Sequence, residues 1–481
     1  MRAAAVMLVA AAIGAASCAA TDRGAAAPAL TRESCTGVRP RDATCYSLTV
    51  PENRGSPTRT IALRVVVLPA TGTPREADPV FYLAGGPGQA ASSLAADPSP
   101  TPSALRVHRD LVYADQRGTG ASNGLDCPFY GPPENPQSYF TEFLPLDKVR
   151  GCRDQMGRRA DLTQYTTASS VDDLEAIRAA MNYAQINLVG GSYGTRLAME
   201  YVRRYETHVR SVVLESPVTP ATHAPEAFGR IANNALDALV RECAETPQCA
   251  RAFPKVSGEV DQVFARLRER PAVASVAHPA GGRPAEVTLT RNHVAEVIRY
   301  MMYSSRGASS VPWAIHRAFE GDFTPIAEFL IRWRANGSFD GLYLSITCAE
   351  DVPFVAADAT QRDEPTYLGS YRVREQRAAC AEWPHGKPSP SQFEPVSSAV
   401  PVLIFSGTLD PVTPPSNADT VAKTLPNALH VRIPSGGHSP AGLTGLDCIG
   451  ALQRSFIEQG SVGGLDAKCV GDITRPGFRV E

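Results

Sequence analysis

The sequence predicts an α/β fold: a mostly parallel sheet flanked by helices, with a large, mainly helical insertion between two parts of the sheet. Three observations predict it. Short, continuous apolar runs bounded by turn residues, PVFYLA at 79–84, LVYA at 111–114, INLV at 186–189 and VPVLIFS at 400–406, have the texture of strands buried on both faces. Helical stretches alternate with them, VDDLEAIRAAM at 171–181 and TRLAMEYVRRY at 195–205 among them. That alternation is the pattern of βαβ units. Between Pro217 and Pro395 the texture changes to amphipathic helical stretches, such as 228–241 and 291–303, punctuated by Pro and Gly and with few strand-like runs.

Residues 1–17, MRAAAVMLVAAAIGAAS, put one Arg before a run of apolar and small residues. This reads as a secretory signal, too short for a membrane span, and no later apolar run reaches ~18 residues. Ala15-Ala16-Ser17-Cys18 resembles a bacterial lipobox, in which Cys18 would be lipidated and tether the chain to a membrane. Plain signal cleavage a few residues downstream is the alternative. Residues 19–34 then form a loose tether. Thr60 to Leu68 alternates like an early, partly exposed strand, and SVVLE at 211–215 and ALHVRI at 428–433 add two more strands. The expected organisation is a signal over 1–18, the tether over 19–34, a first core part over 35–216, a helical cap over 217–395 inserted after the sixth core strand, and a second core part over 396–481. Such an insertion can lie over the carboxyl edge of the strands, where open α/β sheets bind ligands.

Composition excludes several classes. Of the 481 residues, 43% are hydrophobic and 20% charged, which rules out disorder as the main state. Lys and Arg number 47 against 49 Asp and Glu, with no basic block, so no nucleic-acid partner is expected. Eleven cysteines leave ten once Cys18 is set aside, an even number in an exported chain, which favours disulfides. Local pairing is the simplest scheme because short loops close cheaply: Cys35 with Cys45, Cys127 with Cys152, Cys243 with Cys249, Cys348 with Cys380, and Cys448 with Cys469. With no CxxC pair and no HExxH, neither a metal nor a cofactor is expected.

The chemistry is carried by turns that follow strands. Gly190-Gly191-Ser192-Tyr193-Gly194 matches G-x-S-x-G between an apolar strand and a helix. There the glycines permit a strained turn that exposes the Ser192 hydroxyl and leaves the Tyr193 N–H for an oxyanion. A serine hydroxyl needs a general base, and the base needs an orienting acid. Asp410, on the turn after the strand ending at Ser406, is the expected acid. His438, on the Gly-rich loop after the strand ending at Ile433, is the expected base, and the order Ser, Asp, His suits this architecture. Gly85 or Gly86, in the glycine-rich loop after the strand at 79–84, is expected to supply the second oxyanion N–H. Asp115 and Arg117 are expected to pair as a structural ion pair behind the site.

Taken together, GGPG at 85–88, DQRGTGAS at 115–122, GGSYG at 190–194, GTLDPVTP at 407–414 and GGH at 436–438 occur in order. The sequence resembles the exported tripeptidyl-aminopeptidase branch of the proline-iminopeptidase-like α/β-hydrolases, over about residues 35 to 475. Ala84 departs from many proline iminopeptidases, which have His before this Gly-Gly-Pro-Gly. The resemblance implies a monomeric, exported serine exopeptidase acting on peptides with free N-termini. Its cap would have to meet a protonated amine, for which carboxylates are the natural partners. Glu350 and Asp351, beside a cysteine expected to be bridged, are the first candidates, and Glu215 is the next. A carboxylesterase would use the same triad and oxyanion hole, and a catalytically inert binding module could share the fold.

Overall fold

The computed structural model of the protein describes residues 30–38, 41–96 and 100–481. The signal segment, Cys18 and the first part of the expected tether lie outside the described residues. Nine strands form one sheet: β1 (Leu30–Glu33), β2 (Thr44–Pro51), β3 (Thr60–Leu68), β4 (Val80–Leu83), β5 (Leu111–Ala114), β6 (Ile186–Gly191), β7 (Val209–Glu215), β10 (Val402–Gly407) and β11 (Ala428–Ile433). Their order is β1-β2-β3-β5-β4-β6-β7-β10-β11. The first three join antiparallel, and the six from β5 to β11 are parallel.

The central strands are buried on both faces, which is why their sequences read as unbroken apolar runs. Leu174 and Ile177 of helix Thr167–Ala180 pack on one face with Leu197 and Tyr201 of helix Tyr193–Tyr205. Phe456 and Ile457 of helix Asp447–Gln459 pack on the other, with Val189, Val213, Leu403 and Phe405. Burying each such side chain contributes about 1.5–3 kcal/mol.

Between β7 and β10 the chain is mostly helical and has its own apolar core, including Leu236, Leu239, Val294, Ile298, Ile315 and Leu330. It also contains a two-stranded hairpin, β8 (Ala272–Val276) with β9 (Ala285–Leu289), which the sequence reading did not anticipate. Its signal is a short period of two: Ala274, Val276, Val287 and Leu289 point inward while their neighbours are exposed. Two strands at the start of the chain were likewise not foreseen. β2 lies beside β3, and β1 extends the sheet from residues read as part of the tether.

The expected Asp115–Arg117 pair is not formed. A guanidinium binds a carboxylate best when the two forks face each other. Asp173, on helix Thr167–Ala180, offers that geometry to Arg117, at 2.6 and 2.7 Å, while Arg117 Nη1 also donates to the carbonyls of Glu52 and Gln164 at 2.8 and 3.0 Å. Asp115 instead accepts from the N–H and hydroxyl of Ser92 at 2.7 and 2.9 Å.

Five disulfides are present among the described residues: Cys35–Cys45, Cys127–Cys152, Cys243–Cys249, Cys348–Cys380 and Cys448–Cys469. A thiol-alkylating reagent applied to the denatured, unreduced protein should therefore modify none of these ten cysteines, as read by mass spectrometry. Reduction should lower thermal stability markedly, since closing such loops typically contributes about 2–4 kcal/mol each. Four or more alkylated positions among the ten would refute this pairing.

Candidate active site

The carboxyl ends of the parallel strands converge on one place. β6 ends at Gly191, level with Glu215 at the end of β7, which is itself level with Phe405 of β10. Ser192 follows with φ 53° and ψ −122°, a conformation that side-chain-bearing residues rarely adopt, and helix Tyr193–Tyr205 starts immediately after. The turn is fastened by backbone. Ser192 N–H donates to the Glu215 carbonyl, and Thr195 N–H to the Ser192 carbonyl, each at 2.9 Å. Gly194 is obligatory here, because a Cβ at that position would stand 2.0 Å from the Leu83 carbonyl oxygen.

β4 runs beside β6, with Leu83 opposite Gly190, so the loop after β4 emerges next to Ser192. A Cβ on Gly85 would sit 3.2 Å from the Ser192 Cβ, which leaves room there only for bare backbone. The Gln116 side chain steadies this loop by donating to the Ala84 carbonyl at 3.1 Å. The backbone of Gly85 and Gly86, with that of Tyr193, thus adjoins the Ser192 side chain. The Tyr193 ring itself points away, its hydroxyl 2.9 Å from Thr167 Oγ1, and burial pushes its phenol far up.

Asp410 lies on the turn after β10 and His438 on the loop after β11. Asp410 Oδ2 is 2.8 Å from His438 Nδ1. Asp410 Oδ1 accepts the N–H groups of Val412 and Thr413 at 2.8 and 2.9 Å. Burial pushes the Asp410 carboxyl up, but His438 and these N–H donors outweigh it and hold it below the ordinary carboxylate range. With Nδ1 engaged, His438 has Nε2 available for a hydroxyl. Ser192, His438, Gly85, Gly86 and the Tyr193 backbone all line one cavity of about 1080 Å³.

Residues of the inserted region hold the histidine loop, which sequence reasoning missed. The Tyr303 ring meets the His438 ring edge-to-face, with centroids 4.9 Å apart, and the Tyr303 carbonyl accepts the Ser439 N–H at 2.8 Å. Ser305 Oγ donates to the Ser435 carbonyl at 3.0 Å. From the core, Ser216 Oγ donates to the His438 carbonyl at 3.0 Å.

The three carboxylates singled out for an amine do not share one environment. Glu350 is fully buried and lies outside the cavity wall. Its oxygens accept the Thr167 N–H at 2.7 Å, the Thr167 hydroxyl at 2.5 Å and the Gln392 amide at 2.6 Å, leaving it a structural anchor rather than an amine receptor. Burial pushes its carboxyl up, against the pull of Arg196 and Thr167. Asp351 does line the cavity, ion-paired with Arg196 at 2.9 Å. Glu215 lines it too, with Oε1 accepting from Gln453 at 2.7 Å. Three further carboxylates, Asp126, Glu296 and Asp340, also line it. None carries a local motif, so none was found from sequence. Among the described residues no cluster of His, Cys, Asp and Glu could hold a metal ion.

This geometry makes three predictions. Ser192→Ala should lower kcat by several orders of magnitude, and adding His438→Ala should cost little more, because such groups act as a unit. A fluorophosphonate probe should label Ser192 alone, and labelling that persists in Ser192→Ala would sink the assignment. Asp410→Asn should lower kcat roughly 10³–10⁴-fold by releasing the imidazole from its working tautomer. The depressed Asp410 carboxyl also stabilises the fold above its ordinary value of 3.8, and that contribution is lost as pH falls through the lower folded value. The melting-temperature gap between wild type and Asp410→Asn should therefore be constant near neutrality and close below about pH 4. A gap that does not narrow in acid would contradict it.

Comparison with known proteins agrees with the fold and the chemistry. Residues 78–276 match the family model described as alpha/beta hydrolase fold, and residues 365–469 match one described as TAP-like protein. The chain is 25% identical over 465 residues to serine protease Hip1 of Mycobacterium tuberculosis, covering 89% of this chain and 88% of that protein. It is 25% identical over 460 residues to carboxylesterase B of the same organism, covering 89% and 86%. It is also 25% identical over 484 residues to tripeptidyl aminopeptidase of Streptomyces coelicolor, covering 90% and 84%. The parallel sheet, the strained serine turn and these matches agree that the chain belongs to the α/β-hydrolase superfamily and is a serine hydrolase.

Proposed function

We propose that the protein is an exported aminopeptidase that releases short peptides or single residues from free N-termini through an acyl-enzyme on Ser192. The observation that carries this reading is a single cavity holding Ser192 together with carboxylates able to meet an ammonium group, in a chain whose C-terminal part matches a TAP-like model. The relative named tripeptidyl aminopeptidase, aligned over 90% of the chain, supports it. Five disulfides and the signal-like N-terminus support export.

His438 Nε2 takes the Ser192 proton as Oγ attacks the scissile carbonyl, and Asp410 stabilises the resulting imidazolium. The oxyanion is received by the N–H of Tyr193 with that of Gly85 or Gly86. The imidazolium then protonates the leaving amine, and water, deprotonated by His438, releases the acyl group from Ser192.

Glu215 is the first choice for the substrate amine. Its carbonyl accepts the Ser192 N–H, and its carboxylate lines the cavity with Oε2 4.0 Å from where a Cβ on Gly191, the residue before the nucleophile, would stand. Asp351 is the second choice, since Arg196 partly satisfies it. The relative named carboxylesterase B, equally similar, favours an ester substrate as the second reading.

Peptide amides with free and acetylated N-termini separate the two. A charge-assisted hydrogen bond of about 1.5–3 kcal/mol corresponds to at least a tenfold loss in kcat/KM on acetylation. Glu215→Gln should bring the ratio of free to acetylated substrate close to one. Equal cleavage of both by the wild type would replace the aminopeptidase reading with the esterase one. A preference that survives Glu215→Gln would move the amine site to Asp351.

A further inference from the structure

Three buried arginines of the inserted region line the Ser192 cavity, and they are not equally partnered. Arg299, Arg334 and Arg372 all line it, and they are only 2%, 6% and 4% exposed. Arg334 is paired with Glu296 at 2.9 Å and donates to the carbonyls of Tyr139 and Thr141 at 2.8 and 2.9 Å, leaving only its Nε without a partner. Arg372 donates to the Tyr343 hydroxyl at 3.0 Å and lies 3.6 Å from the centre of the Phe143 ring, while its Nε has no hydrogen-bond partner. Arg299 is the least satisfied of the three. Among the described residues it has no ion pair, and neither its Nε nor its Nη2 has a hydrogen-bond partner.

Aromatic rings are what hold Arg299. Its guanidinium lies 4.2 Å from the centre of Phe228, 5.5 Å from that of Tyr303 and 5.9 Å from that of Tyr300. Arg372 lies 5.4 Å from the same Phe228 ring, so the two cations flank one side chain. Rings offset part of the desolvation of a buried cation but leave its N–H groups unmet. Glu296, three residues before Arg299 on helix Arg291–Met301, is already bonded to Arg334. Asp340 also lines the cavity, and burial with the neighbouring Asp126 pushes its carboxyl up to about 7 against the pull of Arg334.

We propose that Arg299, with Arg372 beside it, forms a carboxylate-binding subsite within the Ser192 cavity and directs the enzyme toward substrates that carry an acidic group close to the scissile bond. A carboxylate supplies what Arg299 lacks: a counter-charge and acceptors for its guanidinium fork. The reach fits, because a single ring, Tyr303, touches both the His438 imidazole, at 4.9 Å, and the Arg299 guanidinium, at 5.5 Å. The carboxylate is an acidic side chain of the substrate or the α-carboxylate of a short peptide. The proposal rests on the Ser192 cavity being the substrate site, but not on the substrate having a free N-terminus.

The test begins with an unselective reporter, hydrolysis of p-nitrophenyl acetate, inhibited by glutarate or by its uncharged analogue glutaramide. Glutarate should inhibit the wild type at least tenfold more strongly, since a charged hydrogen bond is the difference between them. It should also raise the melting temperature of the wild type. Arg299→Gln should abolish both differences, and Arg299→Lys should keep part of them. Fluorophosphonate labelling of Ser192 shows whether each variant is folded, and the wild-type comparison of glutarate with glutaramide stands even if Arg299→Gln is not. Two peptide arms separate the sources: Glu against Gln in the residue before the scissile bond, and a free against an amidated C-terminus. The arm with an Arg299-dependent preference identifies the carboxylate. Equal inhibition by glutarate and glutaramide, or a glutarate preference that persists in Arg299→Gln, would overturn the subsite. Failure of the aminopeptidase reading would show instead as indifference to N-terminal acetylation, with the glutarate comparison untouched.

Discussion

The strained turn at Ser192 is the constraint around which the rest of the structure is arranged. A residue held at φ 53° stores roughly 1–3 kcal/mol of strain and persists only where its surroundings over-determine it. Here they do so from three directions. β7 receives the Ser192 N–H on the Glu215 carbonyl, Thr195 caps the Ser192 carbonyl, and β4 presses so close that Gly194 has no room for a methyl group. The same closeness brings bare backbone at Gly85 against the nucleophile. The oxyanion-facing loop and the nucleophile are thus positioned by one packing requirement, not two.

The insertion is tied to this centre at two separate points. Arg196, on the helix that starts after Ser192, pairs with Asp351, while Glu350 binds the start of helix Thr167–Ala180 through Thr167. Buried pairs of this kind add little net stability over apolar packing, but breaking one side is costly, so they fix how two parts register. The second tie runs from Tyr303 and Ser305 to the loop that carries His438. The imidazole therefore takes its position from Asp410 beneath and from the insertion beside it. A displacement of the insertion would be felt at the base before it was felt at the nucleophile.

Much of the core was legible in the sequence because its physics is local. Buried parallel strands read as unbroken apolar runs, and a turn that only glycine permits leaves glycine in the sequence at 85, 190 and 194. Asp410 and His438 were legible because each follows a strand on a turn, and strand ends converge in a parallel sheet. What failed was long-range. Glu350 and Asp351 are neighbours, yet one faces Thr167 and Gln392 and the other the cavity. Arg117 was matched with Asp115, two residues away, when its partner was 56 residues on. Glu296, Arg299 and Arg334 carry no signal in the sequence, because periodicity marks the apolar face and not which charges are drawn inside. The β8–β9 hairpin was hidden by strands of only five residues each.

The disulfides have a consequence for how the chain reaches its oxidised form. Numbered from the N-terminus, the ten bridged cysteines join first to second, third to fourth, and so on, with partners at most 32 positions apart. No bridge spans another cysteine. For a chain delivered N-terminus first, each newly exposed thiol that completes a pair finds only one unpaired companion among these ten, the correct one. A simple oxidant acting at the pace of delivery can then close all five bonds in order, and no shuffling of mispaired intermediates is required.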